Sequence, residues 1–202
     1  MLKHPSCSLK SFQSVIGSLN FVSAFIKLGK LNLSPLHKFL LYFVNNVKKA
    51  VPAELKVLLN FWSIRENYIP VPIPNFNRPI VTIHSDASQQ GWGAQVIGSD
   101  NVLSCCQGVW SDEFLSDHMN IKELNAVWLT LVSSPQKFQN KVVKVFSDNK
   151  STVAWLNKNT SSRSIAARNI LFMLADFMST WDCLITAHYI KGVNNLAADS
   201  LS

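Results

Sequence analysis

The sequence lacks the features that mark membrane, secreted and zinc-binding proteins. No stretch of about 18 apolar residues is free of charge, so no transmembrane helix is predicted. The N-terminal segment MLKHPSCSLKSFQ has no apolar signal-peptide core. The four cysteines form no CxxC pair and have no histidine at the spacing of a zinc site. These absences predict an intracellular protein, cytoplasmic or nuclear, that has no membrane partner.

Acidic residues are scarce in the first third of the chain. Residues 1–70 contain nine lysines and arginines but only two acids, whereas residues 71–202 contain ten of each. The net charge of +7 therefore comes from the first segment. A basic segment beside a neutral one favours a polyanionic partner, nucleic acid first. The alternative is a set of helices whose charged faces meet only solvent.

The first third has the apolar spacing of helices. Helices are predicted after the capping residue Ser8, after Ser34-Pro35 and after Pro52, and Gly29 is expected to end the first of them. The expected buried positions are Phe12, Val15, Ile16, Leu19, Val22, Ile26, Leu36, Phe39, Leu40, Phe43, Leu55, Leu58, Leu59 and Trp62. The segment YIPVPIPNFNRP then contains four prolines, which favour an extended linker. The predicted organisation is a helical region at 1–67, a Pro-rich linker at 68–79 and a second domain at 80–202.

The second domain alternates between strand and helix patterns. Strands are predicted at residues 80–85, 91–97, 102–109, 141–147 and 184–190, and helices at 119–132, 151–156, 165–178 and in the final residues NNLAADSLS. Short turns between the first three strands favour an antiparallel meander. The order of elements predicts an α/β fold in which helices pack against a mixed sheet.

Four acids lie at the ends of these predicted elements. Asp86 and Asp148 each follow a serine at the C-terminal end of a strand, and such ends lie about 5 Å apart when the strands are parallel neighbours. Glu123 lies early in the helix at 119–132, and Asp199 lies in the closing helix of about two turns. Each acid alone could be a cap or a turn residue. Converging carboxylates repel one another unless cations lie between them, which favours two Mg²⁺ ions.

The ordered motifs carry a family resemblance. SDAS with GWGA, KELNAV, FSDN and AAD, in the order Asp-Glu-Asp-Asp, resemble the ribonuclease H family. The segments GVWSDEFLSDHMNIKELNAV, SDNKSTVAWLNKNTSSRS and HYIKGVNNLAADSLS resemble the RNase H region of reverse transcriptases from DIRS-like retrotransposons. Residues 9–40 resemble the helical thumb or connection that precedes it. The resemblance implies a ribonuclease H-like five-stranded mixed sheet flanked by helices.

The resemblance also implies an activity and its residues. Asp86, Glu123, Asp148 and Asp199 are expected to ligate two Mg²⁺ ions, with Mn²⁺ as a substitute, and to hydrolyse the RNA strand of an RNA/DNA hybrid. Asn149 is expected either to bind the RNA strand or to cap a helix. The cationic residues expected to contact phosphates, or alternatively to stay solvated, are Lys150, Lys158 and Arg163. A polymerase YxDD motif is absent, so the chain is not expected to polymerise DNA. The resemblance implies the polymerase domain of the same polyprotein as a further partner.

The sequence departs from the family in the segment KGVNNLAAD. Val193 occupies the position of a histidine that many RNases H use in product release, which predicts slow turnover. One alternative is a non-catalytic RNase H-like nucleic-acid-binding or structural module derived from a retrotransposon. A transposase or integrase would instead bring a glutamate late on a long helix, whereas the last acid here is Asp199. Leu196 and Leu201 are expected to hold the closing helix on the sheet.

Overall fold

The computed structural model describes residues 5–43, 47–71, 73–161 and 164–202. The chain divides into two compact units, one of residues 1–73 and 160–168 and one of residues 74–159 and 169–202. Residues 160–168 thus group with the first unit, although the sequence analysis places them in the range 80–202. Within the described ranges, no helix has the length and apolar character needed to span a bilayer.

The first unit is built mainly from helices, as predicted. Its α-helices are α1 (Leu9–Ser23), α2 (Gly29–Leu33) and α3 (Ala53–Asn60), with 3₁₀ helices at Ser34–Leu40, Phe61–Ser63 and Arg65–Asn67. Two short strands, β1 (Ser6–Cys7) and β2 (Lys49–Ala50), pair antiparallel. Ser8 caps α1 as expected, because its Oγ accepts the backbone N–H of Ser11 at 3.2 Å.

The expected end of the first helix at Gly29 is wrong. Helix α1 ends at Ser23, and Gly29 begins α2. The reason is a tertiary contact of residues 25–27 with the Pro-rich segment, because the N–H of Lys27 donates to the Ile69 carbonyl at 2.7 Å and Ile26 forms an isolated bridge with Pro70. This extended pairing replaces further helical hydrogen bonds.

The predicted apolar positions form the core of the first unit. Every one of them is buried in the apolar cluster or packs against it. The ring centroids of Phe12 and Phe43 lie 5.1 Å apart, and both side chains are fully buried. The helical spacing therefore identified the packed face of each helix correctly.

The second unit contains a five-stranded mixed sheet. Its strands are β3 (Ile80–Ala87), β4 (Gly91–Ile97), β5 (Leu103–Val109), β6 (Val142–Ser147) and β7 (Leu184–Tyr189), in the spatial order β5-β4-β3-β6-β7. The pairs β3–β4 and β4–β5 are antiparallel, which confirms the predicted meander. The pairs β3–β6 and β6–β7 are parallel.

Five α-helices accompany this sheet in the described part of the chain. They are α4 (Asp112–Leu115), α5 (Met119–Ser133), α6 (Lys150–Lys158), α7 (Ile165–Thr180) and α8 (Leu196–Asp199), with 3₁₀ helices at Pro135–Phe138 and Gly192–Asn194. Helix α5 packs against β3 and β4, and α6 packs against β7. At the edge strand β7, the Asn157 side chain donates its Nδ2 to the Ala187 carbonyl at 2.8 Å and accepts the Ala187 N–H at 2.9 Å.

One face of strand β3 is buried in the core, and its other face carries the carboxylate of Asp86. Its burial alternates along the strand, with Val81 and Ile83 buried and Thr82, His84 and Asp86 only half-buried. Alternate residues of a strand point to opposite faces. Asp86 therefore projects from the face opposite the Val81 and Ile83 core while its backbone stays in a central strand.

Candidate active site

Three of the four predicted acids converge at one edge of the sheet. His84 and Phe146 are register partners in the parallel pair β3–β6, so Asp86 and Asp148 both lie two residues beyond that pair. Glu123 is the fifth residue of α5, which packs against β3. One carboxylate oxygen from each of Asp86, Glu123 and Asp148 lies within 4.8 Å of the other two.

Asp199 lies at the margin of this group. It is the last residue of the four-residue helix α8, its side chain is exposed, and it does not belong to the three-carboxylate group. Its charge nevertheless raises the pKa of Glu123. The structure thus places Asp199 near enough to act on the group electrostatically.

Burial and mutual repulsion disfavour the ionised forms of these acids. Burial raises the pKa of Glu123 to about 9, and the charges of Asp86, Asp148 and Asp199 add to that effect. Burial and the Asp86 charge also raise the pKa of Asp148. Partial desolvation of the largely exposed Asp199 side chain and the charges of Asp86 and Asp148 raise the pKa of Asp199. A group of acids held this way is poised for a cation that offsets the repulsion.

The donor set fits a divalent metal ion. Glu123 is 5% exposed, and its buried Oε2 has no hydrogen-bond partner among the described residues. The ion pairs within the described ranges join Lys38 to Glu54 and Arg78 to Asp182, and neither pair involves the clustered acids. Carboxylate oxygens are the ligands that Mg²⁺ and Mn²⁺ prefer. A divalent ion would therefore partner the unpaired oxygen and neutralise the cluster.

Asn149 has the capping role that the sequence left open. Its Oδ1 accepts the backbone N–H groups of Ser151 and Thr152, each at 3.0 Å, at the start of α6. Its Nδ2 donates to Asn120 Oδ1 at 2.8 Å, and its own N–H donates to Ser147 Oγ at 3.0 Å. These bonds hold the residue that directly follows Asp148.

Two of the three predicted phosphate-contacting residues lie in the described part of the chain. Lys150 is exposed, and its Nζ lies 5.3 Å from the centroid of the Tyr189 ring. Lys158 is exposed at the last position of α6. Arg163 lies outside the described residues. Lys150 and Lys158 are thus open to solvent on the helix that follows Asp148.

Two expectations for the closing helix are wrong: the role of Leu196 as an anchor and the length of the helix. Leu196 is 68% exposed and therefore does not bury its side chain against the sheet, and α8 has about one turn instead of two. The helix is held instead by Asn195, which is buried and donates its Nδ2 to the Ser85 carbonyl at 3.1 Å, and by the buried Ala198. Leu201 lies against β4, where a Cβ on Gly93 would come within 2.4 Å of the Leu201 Cβ.

Sequence reasoning missed three residues around the acids. Asn120 binds Asn149, and Ser202 donates its hydroxyl to Asp86. Gly192 lies so close to Asp148 that a Cβ there would meet the Asp148 Oδ2 at 3.0 Å. The one available signal was the glycine itself, which lies two residues after the predicted last strand.

Comparisons with known proteins identify the fold. No protein-family profile and no curated protein sequence matches the chain. The N-terminal RNase H domain of a Mycobacterium tuberculosis protein, solved as a fusion with maltose-binding protein, is 16% identical with a TM-score of 0.50 and covers 60% of this chain and 95% of that one. LC11-RNase H1 in complex with an RNA/DNA hybrid is 14% identical with a TM-score of 0.50, covering 60% and 91%.

A longer but weaker likeness extends over the first unit. A foamy viral protease-reverse transcriptase in complex with double-stranded DNA is 17% identical and covers 91% of this chain and 34% of that one. Its TM-score of 0.41 is too low to support an argument. The likeness to the RNase H structures and the strand order β5-β4-β3-β6-β7 confirm the predicted fold. This chain contains a ribonuclease H-like mixed sheet flanked by helices.

Proposed function

We propose that the chain is a metal-dependent endonuclease that hydrolyses the RNA strand of RNA/DNA hybrids. We further propose that it is the RNase H part of a DIRS-like retroelement reverse transcriptase, with residues 1–67 as its thumb or connection helices and 68–79 as the linker. The observation that supports the nuclease is the group of three carboxylates within 4.8 Å, which includes the unpaired Glu123 oxygen. It lies at the C-terminal ends of parallel strands in a ribonuclease H-like sheet.

The four acids are the proposed metal ligands, and the sheet fixes the positions of two of them. Asp86, Glu123 and Asp148 would hold the divalent ions, and Asp199 would add a further ligand. Two bound Mg²⁺ ions, or Mn²⁺ in their place, would supply activation of the attacking water and stabilisation of the leaving 3′ oxygen. The parallel strands β3 and β6 fix the positions of two of the acids, which the chemistry requires because small displacements of such groups are costly.

Substrate recognition uses the residues beside the acids. A hybrid offers 2′-hydroxyls and base edges in a wide, shallow minor groove. Asn149 uses one of its two Nδ2 hydrogens for Asn120, and the second is left for the RNA strand. Lys150, Lys158 and Arg163 contact phosphates, and the basic first unit adds affinity that is independent of sequence. The polymerase domain of the same polyprotein is the further partner.

Cleavage of a labelled RNA/DNA hybrid with Mg²⁺ or Mn²⁺ tests the proposal. The protein is expected to cut RNA within the hybrid and to leave single-stranded RNA and double-stranded DNA intact. Asp148→Asn keeps the shape of the side chain and removes its charge, so it should abolish cleavage while circular dichroism and hybrid binding stay unchanged. Equal cutting of all three nucleic acids, or an unchanged rate in Asp148→Asn, contradicts the proposal.

A second candidate function is a non-catalytic module that binds nucleic acid. Two observations favour it: Val193 occupies the position of the family's histidine, and Asp199 lies outside the three-carboxylate group. In that case the wild type and Asp148→Asn bind the hybrid equally, and neither cleaves it at any concentration of Mg²⁺ or Mn²⁺.

A further inference from the structure

The carboxylate of Asp86 is hydrogen-bonded by a residue far away in sequence. The Ser202 hydroxyl donates to Asp86 Oδ2 at 2.6 Å. Within the described part of the chain, no other side chain forms a hydrogen bond to this carboxylate. The contact is charge-assisted, and such bonds are about twice as strong as those between neutral groups.

Ser202 is itself held from two sides. Its backbone N–H donates to the Ala198 carbonyl at 3.1 Å, which ties it to α8. Its backbone oxygen accepts the hydroxyl of Ser88 at 2.8 Å. Ser88 belongs to the turn between β3 and β4, two residues after Asp86. The donor and the acceptor of the Ser202–Asp86 bond are therefore both anchored near the same end of β3.

Two glycines of β4 provide the space for this segment. Gly93 is the register partner of Asp86, and a Cβ on it would come within 2.7 Å of the Ser202 N. A Cβ on Gly91 would come within 3.1 Å of the Ser202 backbone oxygen. The contact at Gly93 is too close for any side chain, and the contact at Gly91 would require Ser202 to shift, so the absence of a Cβ at Gly93 allows the segment at 201–202 to lie beside Asp86.

The Ser202 hydroxyl also reaches the segment that carries Asp199. Its Oγ lies 3.2 Å from the Asp199 carbonyl oxygen, the second acceptor within range of the same hydroxyl. One residue thus contacts the carboxylate of one predicted metal ligand and the backbone of another. Partners of this kind orient ligating carboxylates, and their removal typically weakens metal affinity or activity by about 10–100-fold.

We propose that Ser202 is a positioning residue of the metal centre, an inference that rests on the proposed function. Its hydroxyl holds Asp86 Oδ2 and restricts rotation of the carboxylate, which leaves the other oxygen free to bind a cation. Because Ser202 is three residues after Asp199, it also links the orientation of Asp86 to the docking of α8. The proposed effect of Ser202 on the metal centre is exerted through Asp86, and no contact with the substrate is proposed for it.

Titration of the protein with Mn²⁺ tests the inference without relying on cleavage. Free Mn²⁺ is measured by electron paramagnetic resonance. Ser202→Ala is expected to weaken Mn²⁺ binding by about tenfold, and Ser202→Thr, which keeps the hydroxyl, is expected to restore it. The matched control is Ser200→Ala, because the exposed Ser200 hydroxyl bonds the Ala197 carbonyl of the adjoining helix α8 and no other group in the described part of the chain. In cleavage assays Ser202→Ala should lower kcat and leave KM for the hybrid unchanged.

The outcomes separate the inference from the function on which it rests. If the wild type and Ser202→Ala bind Mn²⁺ equally, and both bind it better than Asp148→Asn does, the positioning role is wrong while the metal centre stands. Equal weakening in Ser202→Ala and Ser200→Ala, or no rescue by threonine, assigns the effect to loosening of α8 and also overturns the inference. If the wild type binds Mn²⁺ no better than Asp148→Asn does, the proposed metal centre itself fails.

Discussion

The side-chain amides of Asn120 and Asn149 join the N-terminal ends of two helices. Asn149 Nδ2 donates to Asn120 Oδ1 at 2.8 Å, and each residue lies next to or within one turn of a clustered acid. Asn120 precedes Glu123 by three positions on α5, and Asn149 directly follows Asp148. This bond and the bond from Asn120 Nδ2 to Ser151 Oγ at 3.2 Å link the segments that carry Glu123 and Asp148.

The two roles of Asn149 can be separated by substitution. Asn149→Ala removes the cap of α6 and should lower the free energy of unfolding by about 1 kcal/mol in urea titrations. Asn149→Ser keeps a capping oxygen and should retain most of that stability, but it loses the amide N–H groups. If Asn149 also contacts RNA, both variants raise KM for the hybrid. An unchanged KM in both would restrict Asn149 to its capping role.

The stability of the metal-free protein should decrease with rising pH. The pKa of Glu123 is raised from 4.5 to about 9 on folding, so between these values the folded state binds one proton more than the unfolded state. Each rise in pH then favours unfolding, by at most about 1.4 kcal/mol per pH unit. Thermal unfolding in a chelator from about pH 5 to pH 8 measures this slope.

Two variants give this pH experiment its controls. Glu123→Gln should flatten the slope and raise the melting temperature at neutral pH, because it removes the proton that couples to folding. Glu66→Gln, at an exposed residue of the first unit, should keep the wild-type slope. A slope that is the same in Glu123→Gln and in the wild type would mean that Glu123 does not control it.

The proposed contribution of the first unit to hybrid binding should appear in its salt dependence. Replacing the exposed Lys30, Lys48 and Lys56 with glutamine should make the slope of log K against log[salt] shallower, by about 1 for each phosphate that the protein no longer neutralises. Lys38→Gln is the matched control, because Lys38 already pairs with Glu54. Fluorescence anisotropy between about 50 and 200 mM salt gives the slopes. Identical slopes would show that these lysines meet only solvent.

The close approach of Gly192 to Asp148 predicts a site-specific effect of a single methyl group. Gly192→Ala places a Cβ 3.0 Å from Asp148 Oδ2, so the carboxylate must shift and the Mg²⁺ concentration for half-maximal cleavage should rise. Gly17→Ala is the contrasting variant, since its Cβ meets no atom within 4 Å on α1. It should leave the Mg²⁺ midpoint unchanged and stabilise the protein by about 0.5–1 kcal/mol. A normal Mg²⁺ midpoint in Gly192→Ala would contradict the prediction.

The sheet was predictable because its strands are apolar runs bounded by turn residues. The predicted strands match the observed ones within two residues at each end. The convergence of Asp86 with Asp148 follows from parallel neighbours whose C-terminal ends carry the acids. The pair β1–β2 was not predicted, because strands of two residues have no periodicity to detect.

The surroundings of the acids were not predictable in the same way. Ser202 and Asp86 are 116 positions apart, and nothing in either local segment indicates the partner. The choice of Leu196 as an anchor assumed a helix long enough to have an apolar face, whereas the observed four-residue turn has none. Polar contacts between distant segments and very short helices depend on the assembled fold, not on local spacing.

Asn157 has a consequence for the behaviour of this sheet at high protein concentration. An exposed edge strand is a template for pairing with a strand of another molecule, and proteins counter that hazard in various ways. Here the amide of Asn157 imitates a neighbouring strand, because it satisfies both the N–H and the carbonyl of Ala187. A second molecule would have to displace both bonds to extend the sheet past Ala187. Edge-to-edge aggregation is thereby opposed at β7 by one side chain of the helix that follows Asp148.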